Sequence, residues 1–323
     1  MTASLVSVVI PSYNAAAFLA EAIESVLAQT YRPHQLIVVD DGSTDETVSV
    51  AERYADSLHL VRLPHVGYPG GVRNRGIEQA HGDFLAFLDA DDTWMPDKLE
   101  IQVDLLLARP DLGLVHSNLE VIDAHGRFLR DVFLNVAGSR GLSDDYEESS
   151  FTQLLKGESG IWTSSVLLRR ECVERVGNFD ESLAVAEDWD LWIRIARTFK
   201  IGYVSRTLAR HRCHPTNTGR HWIPQTIPPE IQLWSKVLRL YPEIEPEWGD
   251  LIRAKCALHY VLNAIRCVQR GYYRRAAALA AQLARIDFGK TGFRRFGVLL
   301  VRFLHRQCLQ KGREILGTAA RLR

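Results

Sequence analysis

Acidic residues interrupt the apolar runs of this chain at regular places. Asp40 and Asp41 follow QLIVV, and Asp89, Ala90, Asp91 and Asp92 follow FLAFL. Glu187, Asp188 and Asp190 open an amphipathic stretch that continues through Leu191, Trp192, Ile195 and Phe199. In an extended segment residues i and i+2 point to one side, so Asp89 and Asp91 can bring two carboxylates near one cation. A hard divalent ion, Mg²⁺ or Mn²⁺, suits such a pair, because it fills its remaining positions with water and phosphate oxygens. The alternative is that Asp91 or Asp92 caps the helix expected after Pro96.

Asp40 and Asp41 read either as turn residues or as acceptors for the imide N–H of uracil or thymine, with Tyr13 supplying an aromatic surface for the base. Arg73, in the segment GGVRNRG, is either part of a helix start or a cation for a diphosphate. Glu187 and Asp188 would be favoured at a helix N-terminus by its dipole alone; one of them can also act as general base toward an acceptor hydroxyl. In RHRCHPTN, His211 and His214 read as strand-end polar residues, a metal ligand or a phosphate contact, and His214 is the preferred candidate. Trp162, Trp189, Trp192 and Trp222 serve as core or as a wall for a sugar ring.

These residues need a scaffold that gathers strand ends. LVSVVI, QLIVV, LHLVRL and FLAFL are strands buried on both faces, and between them lie helical patterns. The clearest helix places Phe18, Leu19, Ala22, Ile23, Val26 and Leu27 on one stripe. Others follow from the capping-box spacing of Ser43 and Glu46, over residues 72–80, and after Pro96 through Leu99, Val103 and Leu106. Alternation of this kind predicts an α/β fold with a mostly parallel sheet flanked by helices, whose ligands sit at the carboxyl ends of the strands. LGLVHSNLEVID, followed by His125 and Gly126, predicts a hairpin, and residues 138–150 a mobile loop. From about Pro229 the chain turns helical, with Gly271 separating two helices.

Among 323 residues, 46% are hydrophobic, which supports a full core, and 39 Lys plus Arg balance 39 Asp plus Glu. A neutral chain has no global field for nucleic acid, so no nucleic-acid partner is expected. Cys172, Cys213, Cys256, Cys267 and Cys308 form no CxxC pair and argue against a disulfide framework or a thiolate zinc site. With no signal peptide and no apolar run long enough to span a bilayer, a cytoplasmic location is expected. No GxGxxG follows the first strand and no GxxxxGK[ST] occurs, which removes the dinucleotide-oxidoreductase and P-loop readings.

In order and spacing, SVVIPSYNAAAFL, VVDDGSTD, GVRNRGI, FLDADD with WMPDKL, VGNFDE and EDWDLW resemble the family-2 glycosyltransferases, inverting enzymes of the GT-A fold. The resemblance runs from Val6 to about Asn217. It implies a GT-A catalytic domain over residues 1–225, with a nucleotide-sugar half (1–110) and an acceptor half (111–225); composition makes 226–323 a helical region that can associate with a membrane or a partner. The resemblance implies that Pro11, Tyr13 and Asp41, with Asp40 beside them, surround the nucleoside. Arg73 approaches the base or diphosphate, and Asp89, Ala90 and Asp91 form the DxD motif. Asp91 is then the metal-binding acid, Asp89 its partner, His214 a further ligand and Asp188 the catalytic base. The implied reaction moves a sugar from a nucleoside-diphosphate donor, UDP or dTDP, to a hydroxyl of a saccharide or lipid-linked saccharide, in cell-surface polysaccharide or glycolipid synthesis. A nucleotidyltransferase and a non-catalytic sugar-nucleotide scaffold are the competing readings; the first lacks a Gly-rich triphosphate loop, and the second has no need of Asp91 and Asp188.

Past Asn217 the resemblance ends. Residues 290–323 carry nine Lys or Arg against a single acid, Glu314, interleaved with Phe293, Phe296, Leu299, Leu300, Phe303 and Leu304. Such a segment is either a basic amphipathic helix that rests on anionic lipid at the inner face of the cell membrane, or a packed helix with a solvated basic face.

Overall fold

The computed structural model describes residues 4–32, 34–132, 146–149, 151–156, 160–217, 229–287 and 296. The chain divides into two compact units, residues 1–221 and residues 222–323.

In the first unit β1 (Val6–Ser12), α1 (Leu19–Leu27), β2 (His34–Asp40), α2 (Thr47–Glu52), β3 (His59–Arg62), α3 (Pro69–Glu78) and β4 (Phe84–Phe87) alternate as expected. Then come β5 (Thr93–Trp94), α4 (Lys98–Ala108), β6 (Leu112–Asp123), β7 (Phe128–Val132), β8 (Tyr146–Ser149), α5 (Phe151–Lys156), β9 (Leu167–Arg169), α6 (Arg170–Val176), α7 (Glu187–Thr198) and β10 (Lys200–Cys213). The strands join one sheet in the order β3-β2-β1-β4-β9-β6-β10-β5, with β7 on β6 and β8 on β10. The half from β3 to β4 is parallel, as βαβ crossovers demand, and β6 and β10 are parallel again. Three residues of β9 run antiparallel to both β4 and β6 and so fuse the two halves.

Alternation along β1 divides the core between the two faces of the sheet. Val6, Val8 and Ile10 pack with Leu19, Ala22, Ile23 and Val26 of α1 and Leu99, Val103 and Leu106 of α4. Each such fully buried Val, Leu or Ile side chain contributes roughly 1.5–3 kcal/mol. Val9 points to the other face, where α3 lies so close that a Cβ on Gly76 would stand 2.3 Å from a Val9 methyl. That approach presses α3, and Arg73 within it, onto the sheet.

Two local expectations change. The Ser43–Glu46 capping box does not form: α2 starts at Thr47, whose N–H is taken by Asp45 Oδ1, while Ser43 Oγ accepts from the Asn14 N–H. Within the polar stretch 138–150, Tyr146–Ser149 is an edge strand paired to β10 and not loop; the remainder of that stretch lies outside the described residues. The β6–β7 hairpin forms as expected around His125 and Gly126.

The second unit contains α8 (Pro229–Leu240), α9 (Glu245–Gln269) and α10 (Tyr273–Leu283), with the α9–α10 break at Gly271 as the composition predicts. Trp222, Cys308 and, except for Phe296, the basic segment 290–323 lie outside the described residues. Among the described residues no helix is long and apolar enough to cross a membrane.

Candidate active site

After β4 the chain does not stay extended. The Asp92 N–H donates to the Asp89 carbonyl at 3.0 Å, so Asp89 to Asp92 form a tight turn that displays three carboxylates at a strand end. Asp89 and Asp91 are partly open, with 36% and 25% of their side chains exposed. Ala90 turns its methyl into the core cluster, which leaves only its backbone for a ligand. Asp92 is 2% exposed and caps no helix; it accepts the Ser164 hydroxyl at 2.6 Å, the Arg212 N–H at 2.9 Å and His211 Nδ1 at 3.1 Å. It therefore ties the strand end to β10 and to the turn Thr163–Ser165.

Asp91 is held from the other side. Its Oδ2 accepts His214 Nε2 at 2.8 Å and Asn217 Nδ2 at 3.0 Å, while His214 Nδ1 meets the Thr216 hydroxyl and the ring packs against Phe18. Burial and the charges of Asp92 and Asp89 push the Asp91 carboxyl up to about 6. For His211, burial opposes the charged ring but the aspartates prevail, and its pKa rises. The site thus concentrates negative charge that its own cations do not cancel.

Arg73 is 4% exposed and does not face an open diphosphate site with its terminal nitrogens. Nη2 donates to Asp89 Oδ1 and Nη1 to Glu187 Oε1, each at 2.7 Å, while Nε has no partner. Burial lowers its basicity, but Asp89 and Glu187 outweigh that and raise its pKa. One guanidinium therefore joins the acids after β4 to the acids that open α7. Entry to α7 is strained: Ala186, its N-cap, holds φ +65°, a left-handed conformation that costs a non-glycine residue about 1 kcal/mol or more.

The next two acids differ in environment. Glu187 is 6% exposed, and burial drives its carboxyl up to about 7 against the pull of Arg73. Asp188 is half-buried; its Oδ2 accepts the Thr163 hydroxyl at 3.0 Å and its Oδ1 the N–H of Trp189 at 2.7 Å. Burial raises the Asp188 pKa while Arg73 and these donors oppose it. Asp190 is fully committed to Arg194 and to the fold. Trp192 is core, set edge-on to Phe179; Trp162 and Trp189 are half-buried, and Trp162 leans on His211.

At the end of β1, Pro11 pairs in register with Val39, and Tyr13 stands 47% exposed. Tyr13 stacks on His65 with centroids 4.3 Å apart. Asp41 carries that partner: its carboxylate accepts the N–H groups of Val66 and Gly67 and lies 3.0 Å from His65 Nδ1. Asp40 Oδ2 accepts the Ser43 N–H, whereas its buried Oδ1 has no partner. An unpaired carboxylate oxygen of this kind is a ready acceptor for a donor group on a ligand. His65, Asn217 and the Thr163–Ser165 turn escaped the sequence reading, because their spacing resembles ordinary loop.

Among the described residues no group of three His, Cys, Asp or Glu side chains is arranged to hold a metal. The chemistry present, oxygen donors on Asp89 and Asp91 and an imidazole on His214, still fits Mn²⁺ or Mg²⁺ in a half-site that substrate oxygens complete. Burial together with the neighbouring Asp92 and Asp89 raises Asp91, and a cation would relieve that charge, which supports the same fit.

Known proteins are similar over most of this frame. The description "Glycosyl transferase family 2" matches residues 7–177. An uncharacterized glycosyltransferase of Rickettsia prowazekii is 32% identical over 86% of this chain and 85% of its own length. Two other rickettsial relatives, of Rickettsia bellii and Rickettsia conorii, are longer, and the alignment spans 39% and 34% of them. The Escherichia coli enzyme WfgD, a UDP-Glc:alpha-D-GlcNAc-diphosphoundecaprenol beta-1,3-glucosyltransferase, is 31% identical over 62% of this chain and 73% of its own. The mannosyltransferase PcManGT of Pyrobaculum calidifontis, solved with GDP-Man and Mn²⁺, superposes with TM-score 0.57 and 22% identity over 91% of this chain and 79% of its own. That likeness is one of fold, the GT-A fold.

Proposed function

The chain belongs to glycosyl transferase family 2 and is a glycosyltransferase, and on that premise we propose that the unit 1–221 catalyses a single inverting displacement from a nucleoside-diphosphate sugar. Arg73, by linking Asp89 to Glu187 at 2.7 Å on each side, is the observation that carries this reading. Through one buried guanidinium it links Asp89, on the donor side of this reading, to Glu187 on the acceptor side.

Asp188 is the base. Its raised pKa makes it a stronger proton acceptor than an ordinary aspartate, and the Thr163 hydroxyl fixes one of its oxygens. The acceptor oxygen bonds to the anomeric carbon as Asp188 takes its proton; the bond to the diphosphate breaks on the opposite face, and the nucleoside diphosphate leaves. Asp91, with Asp89 and His214, would hold Mn²⁺ or Mg²⁺, which when bound supplies positive charge to the departing diphosphate. Tyr13, Pro11, Asp40 and Asp41 accommodate the nucleoside of UDP or dTDP, with Asp40 Oδ1 the free acceptor.

A saccharide or lipid-linked saccharide is the proposed acceptor, in polysaccharide or glycolipid synthesis, supported by the lipid-diphosphate acceptor in the name of WfgD. Peripheral contact with the inner face of the cell membrane fits such an acceptor. Loss of a general base lowers turnover by about 10² to 10⁴. Asp188→Asn should therefore keep donor affinity while turnover falls within that range and the product of the native enzyme has inverted anomeric configuration by NMR. Native-like turnover in Asp188→Asn, or a retained configuration, would overturn the mechanism.

A further inference from the structure

One stretch of the second unit carries charge of one sign. From Leu251 to Ile286 there are seven Lys or Arg residues (Arg253, Lys255, Arg266, Arg270, Arg274, Arg275, Arg285) and no Asp or Glu. Arg253 is paired to Glu245 and Asp250, and Lys255 lies over Trp234. Arg266, Arg274 and Arg275 lie around the α9–α10 junction with their residues exposed, Arg275 over the ring of Tyr272.

That junction is a defined structure. The Tyr272 N–H donates to the Cys267 carbonyl at 2.8 Å and the Gly271 N–H to Val268 at 3.0 Å, a Schellman closure with Gly271 at φ +77°. It projects Tyr273, 68% exposed, and Tyr272, 43% exposed, beside Ile265 at 46% and Val268 at 50%. Behind them Ile265, Val268, Ala276 and Ala280 help line an open apolar depression of about 410 Å³. Exposed aliphatic groups, tyrosines and arginines on one tip suit neither bulk water nor a polyanion alone. They suit the boundary of a bilayer, where rings sit among headgroups, aliphatic side chains reach the acyl region and guanidiniums meet phosphate.

We propose that the α9–α10 tip is a docking surface for an anionic lipid bilayer. Charge complementarity selects this occupant: a stretch without acids faces a surface of phosphates. The surface is independent of the donor site, so its failure would leave the transferase reading intact, since vesicle binding is read without any transfer reaction.

The test is co-sedimentation of the full chain with vesicles of phosphatidylcholine, with and without phosphatidylglycerol. Binding is expected only where phosphatidylglycerol is present. One arginine near such a surface contributes roughly a five-fold gain in partitioning, so Arg274→Gln with Arg275→Gln should weaken binding roughly thirty-fold. Tyr273→Ser should also weaken it, and the melting temperature of each variant should match the native chain because these side chains are exposed. Absence of binding to anionic vesicles, or undiminished binding by the double variant, overturns the proposal. So does a solution dimer that Ile265→Asp dissociates, which would make this face a contact between two copies.

Discussion

Charged residues do opposite things in the two units. At the candidate site of the unit 1–221 the cations are buried and matched: Arg73 holds Asp89 and Glu187, Arg212 at 1% exposure holds Glu21 and the Asp91 carbonyl, and the buried Asp92 gathers three donors. In helices α9 and α10 arginines of one sign stand exposed among apolar side chains. A buried network fixes geometry, because removing one member strands the charge of another; an exposed cluster leaves the fold indifferent and acts only on what approaches it. The contrast teaches where to expect a rigid reaction centre and where an adaptable contact.

The buried network is most vulnerable at Arg73. Arg73→Met leaves Glu187 buried without its cation and Asp89 with water as its partner, and should destabilise the first unit by about 3 kcal/mol, toward the lower end for a disrupted buried pair. Thermal unfolding measures this; a melting temperature equal to the native value would mean that the network is incidental. Donor binding should fall with it, since Asp89 loses its anchor.

Thr163→Val comes next. A hydrogen bond to a charged group contributes about 1.5–3 kcal/mol, and its loss disfavours ionised Asp188. As the proposed base, Asp188 works only when unprotonated. Because its pKa is already raised, activity should decline on the acid side at a pH above the ordinary aspartate range, and in Thr163→Val at a still higher pH. The profile of kcat/KM against pH reads both limbs, and superimposed profiles would remove Thr163 from the site.

Much of this centre is legible in the sequence because polar residues stand out where apolar strands stop. Asp40, Asp41, Asp89 and Asp91 stand out that way, and Asp188 stands out at the opening of an amphipathic helix. The role of Arg73 is not legible, because its partner Glu187 lies 114 residues away and nothing local distinguishes a diphosphate contact from a carboxylate clamp. The same holds for Asp92, which reads as a helix cap but closes on β10 from 119 to 120 residues away. Three residues of β9 and the turn before them carry too little pattern to announce that they bridge the halves of the sheet. In the helical unit composition reveals the helices and their break, but exposure at the α9–α10 tip emerges only once packing decides which faces are covered.

Smaller effects sharpen the contrast further. Ala186→Gly relieves the left-handed N-cap and should stabilise the first unit by about 0.5–1 kcal/mol, seen as a higher melting temperature; a loss would mean that α7 begins differently. Arg274→Gln with Arg275→Gln should move stability by no more than about 0.5 kcal/mol, as expected for exposed positions whose one ring contact, Arg275 over Tyr272, is itself at the surface.

The most direct test of the donor site is calorimetric titration of UDP, dTDP and GDP, each with and without Mn²⁺, on the native chain and on Asp91→Ala. A single diphosphate should bind in a metal-dependent way, with binding abolished in the variant. Absence of binding by all three, or binding indifferent to both Mn²⁺ and Asp91, would contradict the assignment of the β4 acids to a metal-assisted nucleotide-sugar site.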